Sequence, residues 1–301
     1  EGIAEPILMG NVLKIKQIIQ EHELELTGVE IIDPRSNEQN GRRKQYAEML
    51  FQRRQRKGMT FNAARSYMMH RNYFAPMMLA TGYADAMVTG LTRNYPDSIR
   101  PVLQVIDKSP GNNIVSGMYI VNSPDGPVFF ADCTVNIDPS WEQLVEITLQ
   151  TCRSVKDFKI TPRVALVSYS SFGSSDGEVP QKQRKAVEYL HKHHPDMIVD
   201  GEIQANAALN PELLAENFSF SKLMGGPANV LIFPNLESAN IAYKLMQELG
   251  KFEVIGPILN GLSEAVQVLQ MGASVAEIVN MITIATIDAQ TKQEKRNRDI
   301  R

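Results

Sequence analysis

Residues that could do chemistry follow predicted strands at three places. A run of small residues, Ser168 to Gly177, would let backbone N–H groups approach a phosphate or a thioester. Arg100 also follows an apolar strand, and Pro101 disfavours helical geometry at the residue before it, so we expect Arg100 in a ligand-binding turn. Asp200 and Glu202 flank a glycine and could act as an acid–base pair, although carboxylates that anchor a strand-end turn give the same pattern.

Cations and histidines are also clustered. A dense basic stretch is formed by Arg42, Arg43, Lys44, Arg53, Arg54, Arg56 and Lys57, which is typical of a solvated helical face from which one or two arginines could reach an anion. His191, His193 and His194 stand at a predicted helix end that needs no metal. Neither cysteine belongs to a Cys-x-x-Cys pair, and no dinucleotide fingerprint or P-loop occurs. We therefore predict no metal site.

The bulk composition argues against several classes of function. The chain has 301 residues, of which 43% are hydrophobic, and its formal net charge is −3. This charge gives no general attraction to nucleic acid or anionic membranes, and no apolar run approaches the roughly 20 residues of a membrane span. We expect a cytoplasmic protein. The chain starts at Glu1 without an initiator methionine, which looks like a domain cut from a longer polypeptide.

The elements that would position these residues alternate between strands and helices. Apolar runs of strand length occupy residues 29–32, 86–89, 115–121, 128–131, 164–167, 197–199 and 230–233, after an earlier strand-like stretch at residues 7–9. Helical periodicity occupies residues 140–155, 239–249 and 275–285, and a charged helix end follows at 292–298. This alternation predicts an α/β fold with a largely parallel sheet.

Seven ordered segments together resemble the phosphate acetyl/butyryl transferase family over almost the whole chain. They are residues 82–86, 99–106, 130–133, 168–170, 200–208, 228–235 and 256–262. The resemblance implies a two-lobed phosphotransacetylase or isocitrate dehydrogenase-like α/β fold with a cleft between the lobes. Lobe I would hold residues 1–110 and 260–301, and lobe II residues 111–259, through which members of the family pair as homodimers.

The resemblance also implies a reaction. Members of the family move an acetyl group between phosphate and the CoA thiol, which requires cations for the acyl phosphate, a base for the thiol and a donor for the oxyanion. Two arginines of the family carry over to Arg54 and Arg100. The cleft that would hold acetyl-CoA is expected to include Ser168, Ser170 and Arg100, together with Gln270 and Met271.

One departure predicts that turnover is impaired. Active members carry a Leu-Ser-Arg-Gly segment with an aspartate six residues beyond the arginine. This chain reads Leu269-Gln270-Met271-Gly272, with Glu277 at the position of the aspartate. Met271 cannot supply the cation, Gln270 cannot supply the hydroxyl, and Glu277 places its charge one methylene further out. Losing a charged contact to the reacting phosphate should lower the rate about 10²-fold or more.

A second departure points to a subgroup. The segment Thr92-Arg93-Asn94-Tyr95-Pro96-Asp97, with residues 58–60 and 72–74, resembles the C-terminal domain of large bacterial NADP-dependent malic enzymes. That resemblance implies a regulatory domain that binds acetyl-CoA, a small-molecule CoA thioester, as an effector. Its partner would be its own N-terminal malic-enzyme part, which would carry malate oxidation, NADP and a divalent metal, Mg or Mn. The alternatives are an active phosphate acetyltransferase and a purely structural dimerisation module.

Overall fold

A computed structural model describes residues 2–299, so Glu1, on which the expectation of a longer polypeptide rests, lies outside the described residues. The strands are β1 Ile7–Met9, β2 Glu30–Ile32, β3 Ala86–Thr89, β4 Ser116–Ser123, β5 Gly126–Ala131, β6 Arg163–Val167, β7 Ile198–Ile203, β8 Val230–Ile232, β9 Glu253–Asn260 and β10 Ala265–Val268. The α-helices are α1 Val12–Glu21, α2 Asn40–Arg54, α3 Phe61–Tyr67, α4 Arg71–Ala80, α5 Tyr95–Val105, α6 Trp141–Asp157, α7 Glu178–His193, α8 Ala205–Leu209, α9 Pro211–Asn217, α10 Leu236–Leu249 and α11 Val275–Asp299.

Internal contacts divide the chain into two compact units. Unit 1 runs to Asp107 and resumes at Leu262, and unit 2 is Lys108–Gly261. None of the described helices is both long and apolar enough to cross a membrane.

Unit 2 is built on one mixed sheet of six strands in the order β7-β6-β8-β5-β4-β9. The four strands from β7 to β5 pair in parallel, whereas β4 pairs antiparallel with both β5 and β9. The expectation of a largely parallel sheet is therefore correct for one side only. The antiparallel side follows from the short turn between Ser123 and Gly126, which can join only antiparallel neighbours.

Both faces of this sheet are covered. In β6, Ala165 and Val167 belong to a core cluster that includes side chains from α8, α9 and α10. The alternate residues Val164 and Leu166 are equally buried, and side chains of a strand alternate between faces. The buried stripes of α6 and α7 pack on the sheet as well. Burial on two faces explains the apolar runs without polar alternation.

Local sequence signals fix the helix ends. Ser140 caps α6 in a capping box, in which its hydroxyl accepts from Gln143 N at 3.3 Å and its N–H donates to Gln143 Oε1 at 2.8 Å. Asn11, Asn210 and Asn235 cap α1, α9 and α10 in the same sense, each accepting from the first turn.

Unit 1 contains two parallel strand pairs, β1 with β2 and β3 with β10. Helices α2 to α5 pack on one another, and α11 packs on β3 and β10. Prolines lie inside α4 and α5, at Pro76 and Pro101, and both are buried.

The strand and helix predictions are confirmed at most positions. Each of the eight predicted strands overlaps an observed strand, and the charged end of the sequence is the last part of α11. Strands β9 and β10 were not predicted, because glycine, proline and glutamine interrupt their apolar runs.

Candidate functional site

In unit 1 the candidate residues after β10 lie beside the end of β3. The two strands are parallel, with Val268 opposite Thr89, so the segments that follow them leave the pair at the same edge. Leu269 N donates to Thr89 O at 2.6 Å, and a Cβ at Gly90 would stand 2.2 Å from Leu269 O. Gly90, whose φ is +122°, is therefore required for the close approach of the two backbone segments.

Residues 269–274, here called the C-terminal turn, contain Gln270 and Met271, two of the three predicted departures from the active family pattern. Gln270 is exposed, and the Met271 side chain is 60% exposed. Glu277 lies in the first turn of α11, where its Oε2 accepts from Ser274 N at 2.7 Å while Glu277 N donates to Ser274 Oγ at 3.2 Å. These reciprocal bonds are a capping box. Glu277 therefore has a structural role at the start of α11 whatever chemistry it does.

The charges of Arg54 and Arg100 both act on the same phenol, that of Tyr73. Burial and the neighbouring Tyr67 raise the pKa of Tyr73, whereas the positive charges of Arg100 and Arg54 oppose this rise. The Tyr73 hydroxyl donates to Gln104 Oε1 at 2.8 Å, and its ring stacks on Tyr67 with centroids 4.3 Å apart. Tyr73 was not predicted as a site residue, because in the sequence a tyrosine at helical spacing cannot be distinguished from a packing residue.

Arg100 does not lie in a turn, so that prediction is wrong. It lies inside α5, and its side chain is mostly exposed, with a contact of 3.9 Å from Nη1 to Asp97 Oδ1. The helix runs through Pro101 because Ile99, Pro101 and Val102 are buried on one face, and this burial outweighs the preference of a residue before proline for extended backbone.

Adjacent arginines at the end of α2 have different surroundings. Arg53 Nη1 donates to Val105 O at 3.0 Å and to Asp107 Oδ2 at 2.7 Å, which ties α2 to the end of α5. Arg54 forms no ion pair within the described part of the chain and is half-buried. Of the two, Arg54 has the guanidinium that remains available to an anion.

In unit 2 the predicted phosphate- or thioester-binding segment is residues 168–177, here called the serine loop. It joins β6 to α7 and is bonded along its length to the end of β7. Ser168 N donates to Ile203 O at 2.9 Å, and Phe172 N donates to Glu202 O at 2.8 Å. Gln204 N donates to Ser171 Oγ at 3.0 Å. The loop is therefore held as part of the sheet edge.

Glu202 is the anchor of the serine loop. Its side chain is fully buried, and its Oε1 accepts from Ser170 Oγ at 2.8 Å, Gly173 N at 2.9 Å and Arg184 Nη1 at 3.3 Å. Ser170 is thus engaged with Glu202. The Ser168 hydroxyl is buried, and it has no hydrogen-bond partner among the described residues.

The prediction of a strand-end turn at residues 200–202 is wrong, because β7 continues through Ile203. Asp200 and Glu202 also anchor different segments. Asp200 Oδ2 accepts from Ser221 Oγ and from Lys222 N, both at 2.8 Å, whereas Glu202 holds the serine loop. Two carboxylates that are each committed to loop donors are anchors, so the alternative of an acid–base pair finds no support in this geometry.

The remaining candidates do not build a site. Burial raises the pKa of Cys152 to about 12 and that of Cys133 well above its ordinary value, so neither thiol is a nucleophile at neutral pH. His191 Nε2 lies 2.8 Å from Val199 O, and His193 stacks on Tyr189. In the part of the chain that the structure describes, no group of three or more His, Cys, Asp or Glu side chains is placed to hold a metal ion.

Within unit 1, the charges of Arg54 and Arg100 thus both act on Tyr73, and the C-terminal turn is joined to the end of β3. Ser168 and Ser170 share the loop anchored by Glu202 in unit 2.

Comparison with known sequences decides the family. The family profile described as Phosphate acetyl/butaryl transferase matches residues 1–286. The chain belongs to this family. The phosphate acetyltransferase of Clostridium acetobutylicum is 38% identical over 297 residues, which cover 96% of this chain and 88% of that protein. The NADP-dependent malic enzyme of Rhizobium meliloti is 38% identical over 270 residues, which cover 89% of this chain and 35% of that protein.

Solved structures agree with this family assignment. A phosphotransacetylase from Streptococcus pyogenes superposes with a TM-score of 0.84 at 34% identity, over 96% of this chain and 86% of that one. The α/β phosphotransacetylase fold expected from the sequence is confirmed.

Proposed function

We propose that this phosphate acetyl/butaryl transferase family member transfers an acetyl group between phosphate and the CoA thiol. The observation that carries the proposal is that Arg54 and Arg100 of unit 1, whose charges both act on Tyr73, are largely uncompensated: Arg54 has no ion pair among the described residues and Arg100 has only a 3.9 Å contact. Guanidinium groups bind phosphate oxygens with paired hydrogen bonds. Several relatives that are 35–38% identical are named phosphate acetyltransferases, and they favour acetyl transfer over the regulatory function that the departures predict.

Met271 of the C-terminal turn and Glu277 beyond it limit the rate of acetyl transfer that we expect. Met271 offers no charge to a phosphate, and Glu277 is engaged in the cap of α11. A missing charged contact at the reacting phosphate costs about 10²-fold in rate. We therefore propose slow acetyl transfer, with ligand binding better preserved than turnover.

A second candidate function rests on these departures together with the segment Thr92 to Asp97. The chain would be the acetyl-CoA-binding regulatory domain of an NADP-dependent malic enzyme, and it spans about a third of the length of the malic enzyme that it resembles. In that case acetyl-CoA is an effector, and the partner is the protein's own malic-enzyme part, with NADP and Mg or Mn bound there. Either function is compatible with a homodimer formed through residues 111–259.

The deciding experiment measures thioester formation from acetyl phosphate and CoA at high protein concentration, beside a calorimetric titration with acetyl-CoA. Slow turnover that disappears in the double variant R54Q/R100Q supports acetyl transfer. Tight acetyl-CoA binding without turnover overturns it in favour of the regulatory function. If folded protein neither turns over nor binds acetyl-CoA, both proposals are wrong and the structural module remains.

A further inference from the structure

Unit 1 has a cavity of about 420 Å³ at the ends of β1 and β2. Its lining includes none of the residues that we assign to acetyl transfer. The chain leaves β1 at Gly10, begins α1 at Val12 and returns in β2, which is parallel to β1. This is a βαβ arrangement, in which the start of the helix and the end of the second strand face the same edge of the sheet.

Four cationic side chains line this cavity: Lys14, Arg35, Arg71 and Arg93. In the part of the chain that the structure describes, none of them forms an ion pair with a carboxylate. Two make single neutral contacts, Arg35 Nε to Met69 O at 3.4 Å and Arg71 Nη2 to Thr92 Oγ1 at 3.2 Å. This arrangement attracts an anion of more than one charge.

The start of α1 adds to this attraction. Asn11 caps the helix by accepting from Lys14 N at 3.0 Å, and the first turn contains no acidic residue. The backbone N–H groups of a helix start and the helix dipole both favour a phosphate.

Asp33 is the one acidic side chain of the described lining, and its position is informative. It follows β2 directly, and its Oδ1 accepts from Arg35 N at 2.9 Å. In βαβ units that bind nucleotides, a carboxylate at the end of the second strand accepts hydrogen bonds from ribose hydroxyls while the phosphates lie at the helix start. Met9, Ile15 and Met69 supply an apolar wall on which a flat base could pack.

We propose that this cavity, here called the cation pocket, binds a nucleoside diphosphate. The phosphates lie against the start of α1 and the four cations, the ribose bonds to Asp33, and the base packs on the apolar wall. The volume lies within the range of small-molecule sites. The lining contains neither Arg54 nor Arg100, so the proposal does not depend on acetyl transfer.

The test is a calorimetric titration of the whole chain with ADP, with inorganic pyrophosphate as a second probe. The variant K14Q/R93Q removes the two cations whose side chains make no hydrogen bond or ion pair within the described residues, so folding should be unaffected. We expect one ADP per chain and an affinity at least tenfold lower in K14Q/R93Q. The control K16Q/R65Q loses the same charge from exposed residues outside the lining and should bind ADP like the wild type. The variant R54Q/R100Q should do so too.

Asp33→Asn tests the orientation, because the amide oxygen can still accept from Arg35 N. We expect this variant to weaken ADP binding severalfold while pyrophosphate binding stays unchanged. Absence of ADP binding, or equal losses in K14Q/R93Q and K16Q/R65Q, would overturn the site. Loss of ADP binding in R54Q/R100Q would place ADP at the acetyl-transfer residues instead. Pyrophosphate that binds as tightly as ADP would overturn the nucleoside part of the proposal.

Discussion

The serine loop of unit 2 and the C-terminal turn of unit 1 both follow a parallel strand, but their surroundings differ. The serine loop is hydrogen-bonded to β7 along its length, and the fully buried carboxylate of Glu202 accepts hydrogen bonds from it. The C-terminal turn is exposed at Gln270 and Met271. In the serine loop, a substitution at an anchoring residue should lower the stability of the fold as well as any function of the loop. In the C-terminal turn, the exposed side chains of Gln270 and Met271 can change without cost to the fold, and two of the predicted departures from the active family pattern occur there.

The largest expected effect tests the buried side of this comparison. Glu202→Ala leaves Ser170, Gly173 N and Arg184 without their shared acceptor, so we expect a loss of about 3 kcal/mol in the free energy of unfolding of unit 2. The single tryptophan, Trp141, lies in unit 2, so its fluorescence in urea reports this unfolding. Glu188→Ala, at an exposed position of α7, should change the free energy of unfolding by less than about 0.5 kcal/mol. Equal effects of the two variants would mean that Glu202 is not the anchor.

The second prediction tests the exposed side. The double variant Q270S/M271R returns the hydroxyl and the cation to the C-terminal turn, and we expect kcat/KM for thioester formation to rise about 10²-fold. Because Met271 is exposed, stability should change little.

The control for this variant is Leu249→Arg, which adds a charge at another exposed apolar residue and should leave the rate as it is. Unchanged turnover in Q270S/M271R, from protein that still binds CoA, would show that the C-terminal turn does not meet the reacting phosphate.

The sequence predicted the fold better than the site, for reasons visible in single residues. Strand β6 is recognisable because Val164 to Val167 are apolar without interruption, which two buried faces demand. Arg100 was placed in a turn because the preference of a residue before proline is local, whereas the burial that keeps α5 helical is tertiary. Likewise, nothing in the spacing of Asp200 and Glu202 shows that each carboxylate holds a different segment.

The role of Tyr73 and the cation pocket were not predicted, because each depends on residues that are far apart in the sequence. Tyr73 gains its importance from Arg54 and Arg100, which belong to two other helices. A signal was present for the pocket, since Gly10 and Asp33 are spaced as in a βαβ unit, but the missing glycine fingerprint hid it.

The third prediction separates two neighbouring arginines. Arg54→Gln should lower the affinity for CoA about tenfold, because one charged hydrogen bond is lost, and should leave stability unchanged. Arg53→Gln should instead lower the free energy of unfolding by about 1 kcal/mol, because it breaks the contacts with Val105 O and Asp107. Its affinity for CoA should stay unchanged. Calorimetry with CoA and urea unfolding followed by circular dichroism measure the two quantities. A similar loss of CoA affinity in both variants would contradict the assignment of Arg54.

The smallest expected effect is on the stability that the capping box of Glu277 and Ser274 gives to unit 1. Like Glu202, Glu277 holds a turn through its carboxylate, but it does so at an exposed helix start. Ser274→Ala should remove one half of the capping box and destabilise unit 1 by about 1 kcal/mol, a fall of about 2–4 °C in Tm. Ser66→Ala, at an exposed position of α3, is the matched control and should leave Tm unchanged. An unchanged Tm in Ser274→Ala would mean that the bond from Glu277 N to the Ser274 hydroxyl contributes nothing to stability.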